Sequence, residues 1–233
     1  MKRLFILLAV AFIAGTAGAQ EEKVMFIISE GRVVYHTAAA DIDRVVFETL
    51  CLVSDVGVVI NGIRWATRNV DAPGTFALSP ERAGMFYQWN RRIGWSSTNP
   101  MVNSNGGTTW DSSVPAGTEW ESANDPCPAG WRVPTSAELT NLRNQPNTWV
   151  SNWNDTGING RVFGTAPNQI FLPAAGRRVN HPIGSLYLVG TSGSYWSSTQ
   201  NGSACAWYLR FHSSISVGFN LRALGHSVRC VAE

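Results

Sequence analysis

Apolar and polar positions alternate in short runs along most of this chain, and the runs predict strands far more often than helices. Val24-Met25-Phe26-Ile27-Ile28 and Arg32-Val33-Val34-Tyr35-His36 flank Glu30-Gly31 and predict a hairpin. Asp41-Ile42-Asp43 then reads as a turn into a third short strand ending at Phe47. Residues 56–60 and 63–66 flank Asn61-Gly62, a pair that accepts positive φ and so predicts a two-residue hairpin turn. Met85-Phe86-Tyr87-Gln88-Trp89 predicts a short aromatic strand or a helical turn, and residues 170–173 and 186–189 predict short strands. The clearest helix signal covers 134–142. Thr135 or Ser136 can cap it, Glu138 places a carboxylate in its first turn, and Leu139 and Leu142 share a face. Residues 96–126 are rich in Ser, Thr, Asn, Gly and Pro and predict one long surface loop, pinned by Trp110 and Trp120.

The last forty residues hold the most distinctive pattern. Period two puts Cys205, Trp207, Leu209 and Phe211 on one apolar face, expected in the core, and turns Ala204, Ala206, Tyr208, Arg210 and His212 the other way. Ser213-Ser214 predicts a turn. Ile215 and Val217 restart the apolar face, with Ser214, Ser216 and Gly218 opposite. Alternation is poor from Phe219 through Asn220, Leu221, Ala223 and Leu224 to His226. Tyr, Arg, His, Ser and Asn make adaptable contact surfaces, so the outward positions fit a binding surface; they fit a plain solvated sheet face as well. Few helices, many short strands and long loops together predict an α+β domain.

Composition narrows the setting. Lys2 and Arg3, the apolar run 4–13 and Ala17-Gly18-Ala19 form the pattern of an export signal over residues 1–19, and that apolar run is too short to span a bilayer. An exported protein, extracellular or at the cell surface, is therefore expected. The chain has 18 Lys+Arg against 16 Asp+Glu, and without Lys2 and Arg3 the two signs balance. Bulk charge thus offers nothing to nucleic acid or to an anionic membrane, and no other apolar stretch predicts a membrane span. Nearly all the basic residues are Arg; Lys occurs only at positions 2 and 23. A three-strand segment as small as 20–50 needs something to pack against, either the main domain, 51–233, or an envelope or pilus partner.

Four cysteines, Cys51, Cys127, Cys205 and Cys230, allow three pairings in an exported protein. None has the spacing of a zinc site, so no metal is expected. No serine-nucleophile elbow, His-Glu-x-x-His or phosphate-binding glycine loop is present, and the four His are scattered. The chain is therefore not expected to be an enzyme or to need a cofactor.

Cys127-Pro128-Ala129-Gly130-Trp131-Arg132-Val133-Pro134 resembles the signature motif of the Fibrobacter succinogenes major paralogous domain family. Further matches are the runs 62–70 and 172–178, Tyr195-Trp196-Ser197-Ser198-Thr199, and Ser227-Val228-Arg229-Cys230-Val231. Together they extend over most of the main domain. The resemblance implies a C-type-lectin-like fold of short strands, few helices and long loops, preceded by a small N-terminal β segment. It also implies that the ends of the domain meet, and so a Cys127–Cys230 disulfide. Cys205 is then a buried thiol, with Cys51 free or joined to it. Trp153-Asn154-Asp155 copies a calcium-binding tripeptide of sugar-binding lectins, but it lies far before Cys230 and lacks the companion loop motif, so it reads as coincidence.

Residues 195–230 further resemble the variable region of proteins diversified by retroelements. The resemblance assigns ligand binding to Asn201, Ser203, Tyr208, Arg210, His212, Ser214, Ser216, Phe219, Asn220, Leu221, Ala223 and His226, within a fixed frame that includes Arg222, Gly225 and Arg229. The expected function is an adhesin-like protein that binds a protein or glycan ligand on another cell or surface. A structural tip or envelope subunit is the alternative, and a relative of formylglycine-generating oxidases a more distant one.

Overall fold

In the computed structural model, residues 55–180 and 184–233 are described in full, and residues 6–11, 24–29 and 32–38 as backbone strands. The chain divides into two units, Met1–Val53 and Ser54–Glu233. In the first, β1 (Ile6–Ala11), β2 (Val24–Ser29) and β3 (Arg32–Ala38) form an antiparallel sheet with β2 central. The expected hairpin is β2–β3; β1 falls inside the apolar run of the export pattern. The third strand expected before Phe47, and Cys51, lie outside the described residues.

The second unit is mostly β-sheet, with one α-helix among the described residues. β4 (Val58–Ile60) and β5 (Ile63–Trp65) turn at Asn61 and Gly62, whose φ values of 46° and 81° are those an Asn-Gly hairpin needs. β6 (Phe86–Gln88) settles the aromatic run as a strand, followed by β7 (Gly94–Trp95) and β8 (Trp131–Arg132). α1 (Ser136–Arg143) starts where the cap pattern places it: Thr135 accepts from the Glu138 amide, and Glu138 reaches back to the Thr135 amide. Arg132 holds the same carboxylate at 2.6 Å, and Leu139 and Leu142 are buried.

β9 (Asn147–Val150), β10 (Gly160–Thr165) and β11 (Asn168–Pro173) form an antiparallel meander. Trp153-Asn154-Asp155 between them is a short 3-10 turn whose indole stacks on Phe171 at 4.5 Å. Next come β12 (Arg177–Val179), β13 (Ser185–Tyr187), β14 (Gly193–Asn201), β15 (Cys205–Phe211), β16 (Ile215–Leu221), β17 (Gly225–His226) and β18 (Val231–Ala232). The remaining sheets have strand orders β13-β12-β17-β6-β7, β14-β15-β16 and β4-β5-β18-β8.

The last of these sheets brings the start and end of the unit together. β18 pairs with β5 and β8, and beside it Cys127 and Cys230 are disulfide-bonded. Cys205 is a free thiol, and it is half-buried where a core position was expected.

Two apolar cores form, one on each side of the β14–β15–β16 sheet. One gathers Trp65, Leu139, Leu142, Phe163, Tyr195, Leu209 and Phe211 under α1. The other is aromatic and gathers Trp89, Trp120, Trp196, Tyr208 and Leu224 around the disulfide. The 96–126 segment has little regular structure, yet Trp110 and Trp120 are buried as expected, against Trp95 and Trp89.

Candidate functional site

The C-terminal sheet carries most of the residues expected to bind. Residues directly opposite across antiparallel strands share a face. Leu209 faces Val217 and Phe211 faces Ile215 on the α1 side, where they join the core. Trp207 faces Phe219 on that same side but beyond the core, with ring centroids 6.0 Å apart. There Phe219 is 59% exposed and Leu221 48%, and Trp207 is only partly buried, against expectation. The other face pairs Arg210 with Ser216, Tyr208 with Gly218 and Ala206 with Asn220. Arg210 and Ser216 are exposed, and Asn220 half-exposed.

Three of the residues expected to bind a ligand are buried. Tyr208 does point away from Leu209 and Phe211, but it is only 7% exposed. That face is covered in turn by the aromatic core: Trp196 meets Tyr208 edge-on at 6.0 Å, and His226 lies 4.9 Å from it. His226 is fully buried, stacked on Trp196 at 3.9 Å, with neither ring nitrogen hydrogen-bonded. Burial, aided by Arg177, holds its pKa well below the ordinary 6.5. Ala223 is 2% exposed, and its carbonyl accepts from Gln88. Period two reports which way a side chain points; it carries no information about what covers it.

The remaining expected residues divide between the two ends of the sheet. His212 and Ser214 form the β15–β16 turn, where the His212 amide donates to the Ser214 carbonyl. Asn201 and Ser203 form the β14–β15 turn, around Gly202 at φ 70°. A seven-residue strand separates these turns by about 20 Å. The structure therefore brings together Arg210, Ser216, His212 and Ser214. It sets Phe219 and Leu221 apart on the opposite face.

What holds this sheet was missed in the sequence: three buried arginines that clamp backbone carbonyls rather than carboxylates. Arg222 uses all five of its donors, on the carbonyls of Cys205, Pro115, Gly117 and Gly202 and on Gln200 Oε1. Its guanidinium also lies over Trp89, 4.1 Å from the ring centre. Arg178 fixes Ser96, Thr98 and Gly184. Arg229 fixes Ala66, Asn69 and Phe171. Burial lowers the pKa of all three, that of Arg229 to about 10, which leaves Arg229 charged at neutral pH. The long 96–126 loop is thus tied at 96–98 and at 115–117. The signal in the sequence was the near absence of Lys, whose ammonium has no planar fork.

Two glycine classes separate frame from filling. A Cβ on Gly193 would lie 2.1 Å from Phe211 Cζ, and one on Gly225 would lie 2.9 Å from Trp110. A Cβ on Gly218 meets nothing nearer than Tyr208 at 4.0 Å, and Gly218 has ordinary strand φ. Glycine is required at the first two positions and optional at the third.

Two clefts lie elsewhere. One of about 640 Å³ is lined by Arg82, Thr98, Ile158, Ala174 and Val189. The other, of about 620 Å³, lies beside the disulfide and is lined by Arg92, Trp120, Asp125, Trp131 and Glu233. Asp125 there accepts the amides of Cys127 and Val133, and burial pushes its pKa up. Neither cleft contains any of the twelve expected binding residues. Among the described residues no helix is long and apolar enough to cross a membrane. No family model matches the chain, and neither a curated protein nor a solved structure is similar to it.

Proposed function

We propose that the chain is an exported, adhesin-like binding protein of the major paralogous domain type, with a C-type-lectin-like scaffold that presents its C-terminal sheet to a protein or glycan ligand. One observation carries the reading: positions that packing dictates are interleaved with positions on which it makes no demand. Arg222, Gly225 and Arg229 are locked, while Arg210, Ser216, Gly218, Phe219 and Leu221 are free to change without cost to the core. That distribution supports a surface adapted to ligands by side-chain exchange, and with it diversification of the segment. The contact group narrows to Arg210, His212, Ser214, Ser216 and Asn220, with Phe219 and Leu221 on the second face. Tyr208, Ala223 and His226 pass to the supporting frame.

The test uses labelled protein on a glycan array and on intact microbial cells. The triple variant Arg210→Ala, His212→Ala, Ser216→Arg is expected to keep the parent's unfolding midpoint and lose the parent's binding. Undiminished binding by the folded variant refutes the assignment. Sequencing the 3′ end of the gene across a clonal population tests diversification. Substitutions are expected at the exposed codons between 210 and 221 and absent at 222, 225 and 229; a uniform 3′ end removes that part of the reading.

A further inference from the structure

The two outer strands of the C-terminal sheet treat their free edges differently. Along β14 the outward groups are taken: the Trp196 amide donates to the Ser227 carbonyl, Ser227 returns a bond to Ser194, and Ser198 donates to Pro134. Along β16 they are not. The His212 amide bonds Ser214, and the Arg222 amide bonds Ala204. These two contacts set the alternation of the β15–β16 ladder, so residues 216, 218 and 220 turn their backbone groups toward β15. On β15, the carbonyls of Trp207 and Phe211 face β14, where Ser197 and Ser192 bond them, which agrees with the same alternation. Ile215, Val217 and Phe219 therefore aim their amides and carbonyls out of the sheet, and none of these groups has a backbone partner among the described residues.

The open stretch has defined ends. Beyond Phe219, the Leu221 amide is capped by Asn220 Oδ1, and the Leu221 carbonyl accepts from Leu224. Before Ile215 the chain turns back at 212–214. Protein sheets protect such edges with Lys, Pro or inward charges. Residues 213–221 contain no charged residue and no Pro. The edge also carries two of the exposed large apolar side chains, Phe219 and Leu221.

We propose that this edge is a self-pairing surface, and that two copies of the chain join antiparallel through it with Val217 on the two-fold axis. The open stretch is symmetric about Val217, which makes it its own complement. Val217 pairs with Val217 of the second copy, and Ile215 pairs with Phe219 in both directions. The three outward donors and three outward acceptors of each copy are then all used, in six hydrogen bonds between the chains. Side chains at paired positions share a face, so the exposed Phe219 ring lies beside Ile215 of the second copy and loses its exposure to water. The pairing consumes an edge and leaves Arg210 and Ser216 exposed, so that two copies of each lie on the same face of the joined sheet. The pairing rests on the backbone groups of Ile215, Val217 and Phe219, and its test reads mass and hydrogen exchange rather than ligand capture, so it can fail or hold independently of the ligand reading.

Sedimentation and light scattering of the purified protein, at about 100 µM and on dilution, read the pairing directly. Twice the mass of one chain is expected, falling to one chain on dilution. Phe219→Pro removes an outward amide from a largely exposed position without touching the β15 ladder. It deletes one hydrogen bond on each side of the axis, so the dissociation constant should rise about 30-fold. Phe219→Lys, which places a charge on the edge and keeps the amide, should weaken pairing as well, with the parent's unfolding midpoint retained at dilutions where both proteins are single chains, to show that the monomer is intact. Hydrogen exchange at Ile215 and Val217 should be slow in the parent and fast in both variants. A single-chain mass for the parent at the highest concentration overturns the proposal, as does a dimer that survives both substitutions.

Discussion

Replacing Arg222 by Lys tests whether the sheet is held by a guanidinium fork or merely by a buried positive charge. The fork makes five hydrogen bonds at 2.6–3.3 Å, four of them to carbonyls on two separate segments. An ammonium has three donors at a single point, so at least two of the five acceptors lose their partner, and the stacking over Trp89 is weakened. A lost bond to a charged group costs about 1.5 kcal/mol or more, which puts the Lys variant about 3 kcal/mol below the parent. Arg222→Met abandons all five acceptors and should cost about 4–5 kcal/mol, tempered by water reaching the 115–117 loop. Urea unfolding is the assay. With a slope of about 2 kcal/mol per molar, the Lys variant should unfold about 1.5 M earlier, at unchanged slope. Hydrogen exchange should quicken together at 115–117 and 200–205, because one side chain fixes both. A Lys variant within about 0.5 kcal/mol of the parent, with exchange unaltered, would falsify the clamp.

Reduction of Cys127–Cys230, which spans a separation of 103 residues, should lower stability by about 4–5 kcal/mol on the chain-entropy account, read as the difference between urea curves with and without reductant. Gly193→Ala should cost about 3 kcal/mol or more, because its new methyl would meet Phe211. Gly218→Ala should instead be neutral or slightly stabilising, so equal losses at the two sites would contradict the division into required and optional glycines. His226 is held neutral in the fold, so below its ordinary pKa of 6.5 the unfolded chain takes up a proton that the folded chain does not. Its contribution is complete above pH 6.5 and is lost as the pH falls, by up to about 1.4 kcal/mol per pH unit. His226→Phe should flatten that slope in unfolding measured from pH 7 to pH 5; an identical slope refutes the assignment.

Local chemistry accounts for what was legible in the sequence. Asn61-Gly62 specifies a turn because the backbone there must take positive φ, and Thr135 with Glu138 specifies a helix start because orphan amides need acceptors. Leu209 and Phe211 were correctly placed on the core side, since alternation alone decides which way they point. Tyr208 was misplaced because the aromatic core that covers its face draws in Trp89 and Trp120 from distant parts of the chain beside Trp196 of the adjacent strand, while the burial of Ala223 and His226 lay in a stretch where alternation gives no direction. Trp207 erred in the opposite sense: it shares the apolar face of Leu209 and Phe211, but it lies outside the core those two residues join and is only partly buried. The near absence of Lys hinted at the arginine clamps, but where they close was hidden for a different reason. A side chain that bonds carbonyls does not depend on the identity of the residues it touches, so no pattern in those residues announces it.

The reliance on guanidinium leaves the second unit, Ser54–Glu233, without a single lysine. An amine-reactive reagent therefore finds no side chain to modify anywhere on that unit, its C-terminal sheet included. Coupled through Lys2, Lys23 or the terminal amine, every molecule on a sensor or bead is tethered from the same side of the sequence, and dye, biotin or cross-linker stays off the C-terminal sheet. The clamp that stiffens the domain thus also makes it inert to the commonest labelling chemistry, and a change in ligand capture after such labelling would have to originate outside it.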